Sequence, residues 1–254
     1  MKSRTVALVP ALDEEHCIAD VVAGIQPYVD RVIVVDNGSV DGTARVARET
    51  GADVVSEPRR GYGRACLAGL ARARELEAEI VLFLDGDGSD DPADAERLLR
   101  PVRDGEVDIA LGARRADLIE DGAMTPVQRF GNWLAPLLMR AAMGAPYHDM
   151  PPFKACSMEA LDALALADIG HGFTIELLVK AHARDLRVIE LPVRCRARRG
   201  GVSKVSGNLR GASRAAVKIV STIARHGAQG RAERLVSYLR AKNPWARAAS
   251  RSES

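Results

Sequence analysis

Residues 80–92 read IVLFLDGDGSDDP, five consecutive apolar side chains followed by four carboxylates within seven positions. A strand with one face in water would alternate polar and apolar side chains. A run that is apolar throughout fits a strand covered on both faces, as in the middle of a parallel sheet between two layers of helices. Asp85 closes that run, so Asp85 and Asp87 fall at the carboxyl end of a central strand, the edge where open α/β sheets bind ligands. Carboxylates this close repel one another unless a cation lies between them, and an all-oxygen set suits Mg²⁺ or Mn²⁺. The stretch therefore predicts a metal–diphosphate site.

Three other readings compete for it. Asp85 to Glu96 partly imitates a twelve-residue calcium loop, but the sixth position is Asp90 where that loop needs glycine. A strand followed by Asp85-Gly86-Asp87 also resembles the nucleophile loop of dehalogenase-type phosphohydrolases, although the downstream acidic pair of those enzymes is missing. Finally, a turn of solvated acids could simply cap a helix from Ala93, with Pro92 in its first turn. Capping accounts for Asp90 and Asp91 better than for Asp85 and Asp87.

The same strand–helix rhythm runs through the first 111 residues. Apolar runs at 5–9, 31–35, 53–56, 80–84 and 107–111 read as strands, with helices at 18–26, from Asp41-Gly42-Thr43, and from Gly61-Tyr62-Gly63 to about Leu76. Alternation of this kind gives a mainly parallel sheet flanked by helices, with right-handed crossovers. Loops 12–14, 36–39 and 85–87 then converge on one edge as a nucleotide-sized crevice. The later chain is less regular. Residues 126–143 read as a helix carrying Trp133, 149–155 as a Pro-rich connector, 175–184 as a helix, and 188–193 as an edge strand ending at Pro192. Five Arg or Lys then fall among residues 194–204 around Gly200-Gly201, a basic loop suited to anions. Residues 209–225 fit an amphipathic helix with Arg210, Arg214 and Lys218 four apart.

With 254 residues, 47% of them apolar and 28% charged, the chain can bury a large core. The expected layout is a single catalytic domain over 1–228, ending in C-terminal amphipathic helices, and a basic tail over 229–254. A net charge of +2 excludes nucleic-acid binding by bulk electrostatics. Cys17, Cys66, Cys156 and Cys195 show no metal or disulfide spacing, which fits a reducing cytosol. No window approaches the roughly 18 apolar residues of a membrane span, so membrane contact is expected to be peripheral, on the cytoplasmic face.

Taken together, VALVPALDEE (6–15), VVDNGSVDGT (34–43), GYGRACLAGL (61–70), FLDGDGSDDP (83–92), LGAR (111–114), QRFGN (128–132), DMPPFKA (149–155) and ELPVRCRARRGGVSKVSG (190–207) resemble a family 2 glycosyltransferase of the GT-A, Rossmann-like fold. They are most similar to its polyprenyl- and dolichyl-phosphate hexose synthase branch. The resemblance implies inverting, metal-dependent transfer of a hexose from a nucleotide sugar, of the UDP-glucose or GDP-mannose type, to a polyprenyl phosphate. Pro10, Leu12, Glu14 and Asp36 would embrace base and ribose, with Gly63 also in the nucleotide-sugar site. Asp85 and Asp87 would form the DXD element, Asp87 being the principal ligand for Mg²⁺ or Mn²⁺. Arg114 and Arg129 match positions that handle the acceptor phosphate or the sugar-side anion, and Arg198, Ser203 and Lys204 match a clamp over the donor diphosphate.

Two departures from the family pattern stand out. Ser89 replaces a glutamine that adds a metal contact in some synthases, and Lys154 stands where arginine is usual, losing bidentate geometry. Many relatives also carry C-terminal membrane helices that this sequence lacks. A phosphate-monoester acceptor is already largely ionised at neutral pH, given a second pKa near ~6, and needs no strong base. A neutral hydroxyl on a soluble acceptor would need one, and Asp149 is the matching carboxylate.

Overall fold

The computed structural model describes residues 4–198 and position 221. Seven strands form one sheet in the order β3-β2-β1-β4-β6-β5-β7. They are β1 (Thr5–Ala11), β2 (Arg31–Asp36), β3 (Asp53–Ser56), β4 (Ile80–Phe83), β5 (Ile109–Ile119), β6 (Lys154–Ser157) and β7 (Val188–Cys195). β3, β2, β1 and β4 are mutually parallel, so their carboxyl ends share one edge. β4 lies fourth of the seven and is buried at every position, as its unbroken apolar run requires.

Two apolar layers cover the faces. Val6, Leu8, Val81 and Phe83 point to one side with α3 (Tyr62–Glu75), α6 (Met158–Leu164) and α7 (Phe173–Ala183). Ala7, Val9, Ile80 and Leu82 point to the other, under α1 (Ile18–Ile25) and α4 (Ala95–Arg103). α2 (Thr43–Glu49) follows β2, and its Ala47 joins the second layer. α5 (Pro126–Met143) opens with a capping box between Thr125 and Gln128 and ends at Gly144 with φ 73°, a left-handed cap that favours glycine.

Four expectations need correction. The Pro-rich connector 149–155 ends early, because Lys154-Ala155 begin β6, which runs antiparallel between β4 and β5. The edge strand does not stop at Pro192; β7 continues to Cys195, paired in parallel with β5 on one side only. β5 starts two residues later than Val107 and runs to Ile119. The helix after the acidic motif starts as a 3₁₀ turn over Pro92–Asp94, capped by Asp91, before α4. Ser203, Lys204, Gly200-Gly201, the amphipathic segment 209–225 and the boundary at 228 lie outside the described residues, apart from position 221.

Candidate active site

β1 runs through Ala11 and then breaks into a turn at Asp13, whose φ is 52°. The turn is stitched to the loop after β2: Asp13 N donates to Ser39 Oγ at 3.0 Å, Val40 N to Asp13 Oδ1 at 2.8 Å, and Glu14 N to Thr43 Oγ1 at 2.8 Å. Asn37 ties that loop to the next one. Its amide donates to the carbonyls of Glu57 and Arg59, both at 2.9 Å, and its oxygen accepts Gly61 N at 2.7 Å. A cleft of about 480 Å³ opens at this edge.

Pro10, Leu12 and Glu14 line one wall with Asn37; Arg60, Gly61 and Tyr62 line another; Asp85, Gly86 and Asp87 form the floor, and His171 and Arg198 complete the lining. Asp36 stands one position behind that wall, its carboxylate accepting Ser39 N at 3.1 Å. Asp87 is buried, with Oδ1 accepting Ser89 N at 2.9 Å and Oδ2 paired with Arg198 Nη2 at 2.9 Å. The expected metal ligand and the expected diphosphate clamp therefore meet directly. A 3₁₀ turn over Pro92–Asp94 interrupts the stretch 85–96, unlike the continuous twelve-residue calcium loop.

The floor is electrostatically strained. Burial, then the charges of Asp87 and Asp90, push Asp85 up to about 8; burial likewise pushes Asp90 up to about 7, although a hydrogen bond from Asp85 N, at 3.0 Å from Asp90 Oδ2, works the other way. Behind the floor lies Lys154, fully buried beside Phe83 in the sheet register. Its ammonium donates to the carbonyls of Pro151 (3.3 Å) and Pro152 (3.0 Å) and to Thr174 Oγ1 (3.4 Å), and lies 5.1 Å from the Phe83 ring centre. Burial lowers its pKa, while Asp85 and Asp90 are among the charges that oppose the shift.

Arg114 and Asp149 meet outside the cleft lining. Arg114 Nε and Nη2 grip the two Asp149 oxygens at 2.8 Å each, and the carboxylate also accepts Arg114 N (3.0 Å) and Met150 N (2.7 Å). The Asp149 carboxylate is thus fully engaged by donors, two of them from the Arg114 guanidinium. Arg129 is exposed on α5 and is not brought into the cleft. The inner side of α5 buries Ala135, Pro136 and Met139, while Phe130 and Trp133, each 59% exposed, and Leu137 face outward.

Gly63 is closely packed by backbone. It does not line the cleft; Gly63 N donates to Gly170 O at 3.1 Å and Arg64 N to Ile169 O at 3.2 Å, so the backbone of loop 168–170 presses on it. A β-carbon there would overlap the Asp168 carbonyl. Gly63→Ala is expected to destabilise the protein by about 3 kcal/mol in urea unfolding, as backbone must move to admit the methyl. Gly131→Ala, with open space around its position in α5, should instead raise stability by about 0.5–1 kcal/mol. Equal effects at the two sites would remove the close-approach account. The same loop delivers His171, which the sequence gave no reason to single out: a lone histidine between glycines has no motif, and only the packing of its loop on α3 brings it to the cleft.

Among the described residues no helix is long and apolar enough to cross a membrane, and no group of three or more His, Cys, Asp or Glu side chains is placed to hold a metal ion. The four cysteines are buried free thiols.

Comparison with known proteins agrees with this architecture. A polyprenol monophosphomannose synthase of Mycolicibacterium smegmatis is 29% identical over 258 residues, 91% of this chain and 89% of its own. A solved structure of glucosyl-3-phosphoglycerate synthase from Mycobacterium tuberculosis, in complex with Mn²⁺, UDP-glucose and phosphoglyceric acid, superposes with a TM-score of 0.71 at 27% identity, covering 87% of this chain and 80% of that one. An uncharacterized glycosyltransferase of Mycobacterium tuberculosis is 42% identical over 208 residues, 82% of this chain and 91% of its own. The model of the glycosyl transferase family 2 matches residues 7–164, more than half of the chain, from within β1 through β4 and β6 with the acidic loops, and on that match the chain belongs to glycosyl transferase family 2.

Proposed function

We propose that the protein is an inverting hexosyltransferase that moves a hexose from a nucleoside-diphosphate sugar, of the UDP-glucose or GDP-mannose type, to a polyprenyl phosphate. The observation that carries this reading is the 2.9 Å pairing of Asp87 with Arg198 in the cleft at the end of β4. It places a carboxylate suited to a cation beside a guanidinium suited to phosphate, the two groups a leaving diphosphate needs.

The floor fits Mg²⁺ or Mn²⁺. Asp85 is held up to about 8 by burial and by its acidic neighbours, the situation a bound divalent cation relieves. Asp85 and Asp87 would hold such an ion, an all-oxygen pair of the kind that suits it in nucleotide sites. When bound, the cation supplies charge neutralisation to the departing diphosphate. Arg198 takes diphosphate oxygens, with Ser203 and Lys204 as further members of the clamp. Pro10, Leu12, Glu14 and Asn37 hold the nucleoside, with Asp36 bracing the loop behind them.

On the acceptor side, Arg114 is oriented by Asp149 toward the acceptor phosphate, with Arg129 contributing from α5. Because Asp149 is engaged by four donors, the chemistry best served is that of an acceptor ionised on its own, a phosphate monoester. The outward stripe of Phe130, Trp133 and Leu137 beside Arg129 and Arg140 suits the surface of an anionic bilayer, where a lipid phosphate would be met. A second reading, transfer to a soluble phosphorylated acceptor, is favoured by the likeness to the phosphoglycerate-bound synthase.

The test is transfer from radiolabelled UDP-glucose and GDP-mannose, with Mn²⁺, to a short-chain polyprenyl phosphate or to 3-phosphoglycerate. Label entering the organic phase from one donor is the expected result. Label in a water-soluble product would establish the second reading, and no transfer from either donor to either acceptor would overturn both.

A further inference from the structure

The end of β7 and the residues just after it run as an extended strap across the acidic loop that follows β4. Alternate residues of an extended chain face the same way, and here Arg194, Arg196 and Arg198 all face carboxylates. Arg194 Nε lies 3.0 Å from Asp91 Oδ2 and 3.3 Å from Asp94 Oδ2, and Arg194 N donates to Asp94 Oδ2 at 2.8 Å. Arg196 Nη2 lies 2.7 Å from Asp91 Oδ2. Arg198 reaches Asp87. The two chains run antiparallel, with a bridge between Asp90 and Cys195 and a bond from Arg196 N to Ser89 O at 2.8 Å.

The basic run is therefore divided. Two of its arginines are spent on Asp91 and Asp94, and only Arg198 among the described three reaches the cleft. Asp91 is the pivot of this ladder: its side chain is 2% exposed, its Oδ1 caps the following turn through Ala93 N at 3.1 Å, and its buried Oδ2, which accepts no hydrogen bond of good geometry, lies within ion-pair distance of both guanidinium groups. We propose that Asp91 is a positioning residue, which fixes the register of the strap through Arg194 and Arg196 and so places Arg198 over the donor diphosphate. This rests on the donor-clamp role proposed for Arg198. A one-step slip of the strap would turn Arg198 to the opposite face, so register here decides whether the clamp points at the cleft.

The test uses the full chain and the affinity of UDP and GDP, each with Mn²⁺, measured by calorimetry without turnover. Asp91→Asn keeps an oxygen to cap Ala93 N and removes only the charge. It is expected to weaken the preferred nucleotide about tenfold, as does Arg198→Ala, while the double variant is no weaker than Arg198→Ala alone, since both changes remove one interaction. Arg196→Gln, which leaves the cap untouched, should follow Asp91→Asn and serves in its place if that variant does not fold. Loss of affinity in Arg198→Ala alone, with Asp91→Asn and Arg196→Gln like the wild type, overturns the positioning role. So does a double variant whose loss is the product of the two single losses. Unchanged affinity in Arg198→Ala removes the donor-clamp reading itself, and the inference with it.

Discussion

Asp87→Asn is expected to lower hexose transfer about a thousandfold while leaving the thermal midpoint within a few degrees of the wild type. Asparagine keeps an oxygen for Ser89 N, so the loop after β4 holds, but it removes the charge that both a divalent cation and Arg198 address. The loss should fall on turnover and on the metal response together: raising Mn²⁺ should not restore the variant, and chelator should reduce the wild type to a similar level. Wild-type-like transfer by Asp87→Asn, or by the wild type in excess chelator, would remove the metal–diphosphate assignment.

The second large effect is on stability against pH. Asp85 and Asp90 titrate in the folded chain near 8 and 7, above the ordinary carboxylate value of 3.8 that applies when unfolded. Between those values the folded state holds more protons than the unfolded state, so stability falls as pH rises from about 4 to about 8. Because the two acids share one site, the combined loss is taken as about 2–4 kcal/mol, or roughly 5–10 °C in the thermal midpoint. On the acid side the slope reverses: hydrogen bonds from Arg187 hold Asp108 below its ordinary value, so its contribution is lost as pH falls through that lower value. A metal-free midpoint highest near pH 4 and falling toward pH 8 is the expected profile. Mn²⁺ with UDP should flatten the fall, since a cation favours the ionised acids. A flat metal-free profile between pH 5 and 8 would show that the acidic floor is not strained.

The parallel half of the sheet was legible because its signal is local. β1, β2 and β4 are short apolar runs that each end in an acidic loop, and such strands can do little other than lie side by side under two helical layers. β6 gave no such signal: it has four residues, opens with a lysine and follows two prolines, and it is a strand only because Phe83 and Leu111 flank it in register and carbonyls receive its ammonium. In the site, residue type was readable but partnership was not. Asp87 and Arg198 could be named from their motifs, whereas the diversion of Arg194 and Arg196 to Asp91 depends on where β7 crosses the loop. Gly63 shows the same limit. A glycine beside a nucleotide cleft implies that some backbone comes close, and the sequence could not say that it is residues 168–170 of the chain itself.

The antiparallel entry of β6 has a consequence for how proteins of this architecture can diversify. Because β6 starts where β4 ends, the segment just before it reaches the working edge of the sheet without a further crossover, bringing Asp149 against Arg114. Everything from the end of β5 to the start of β6, α5 included, is thus one continuous insert flanked by two paired strands. Such an insert can be lengthened, shortened or exchanged between two fixed points, near residues 119 and 154, while the strands on either side of it keep their pairing.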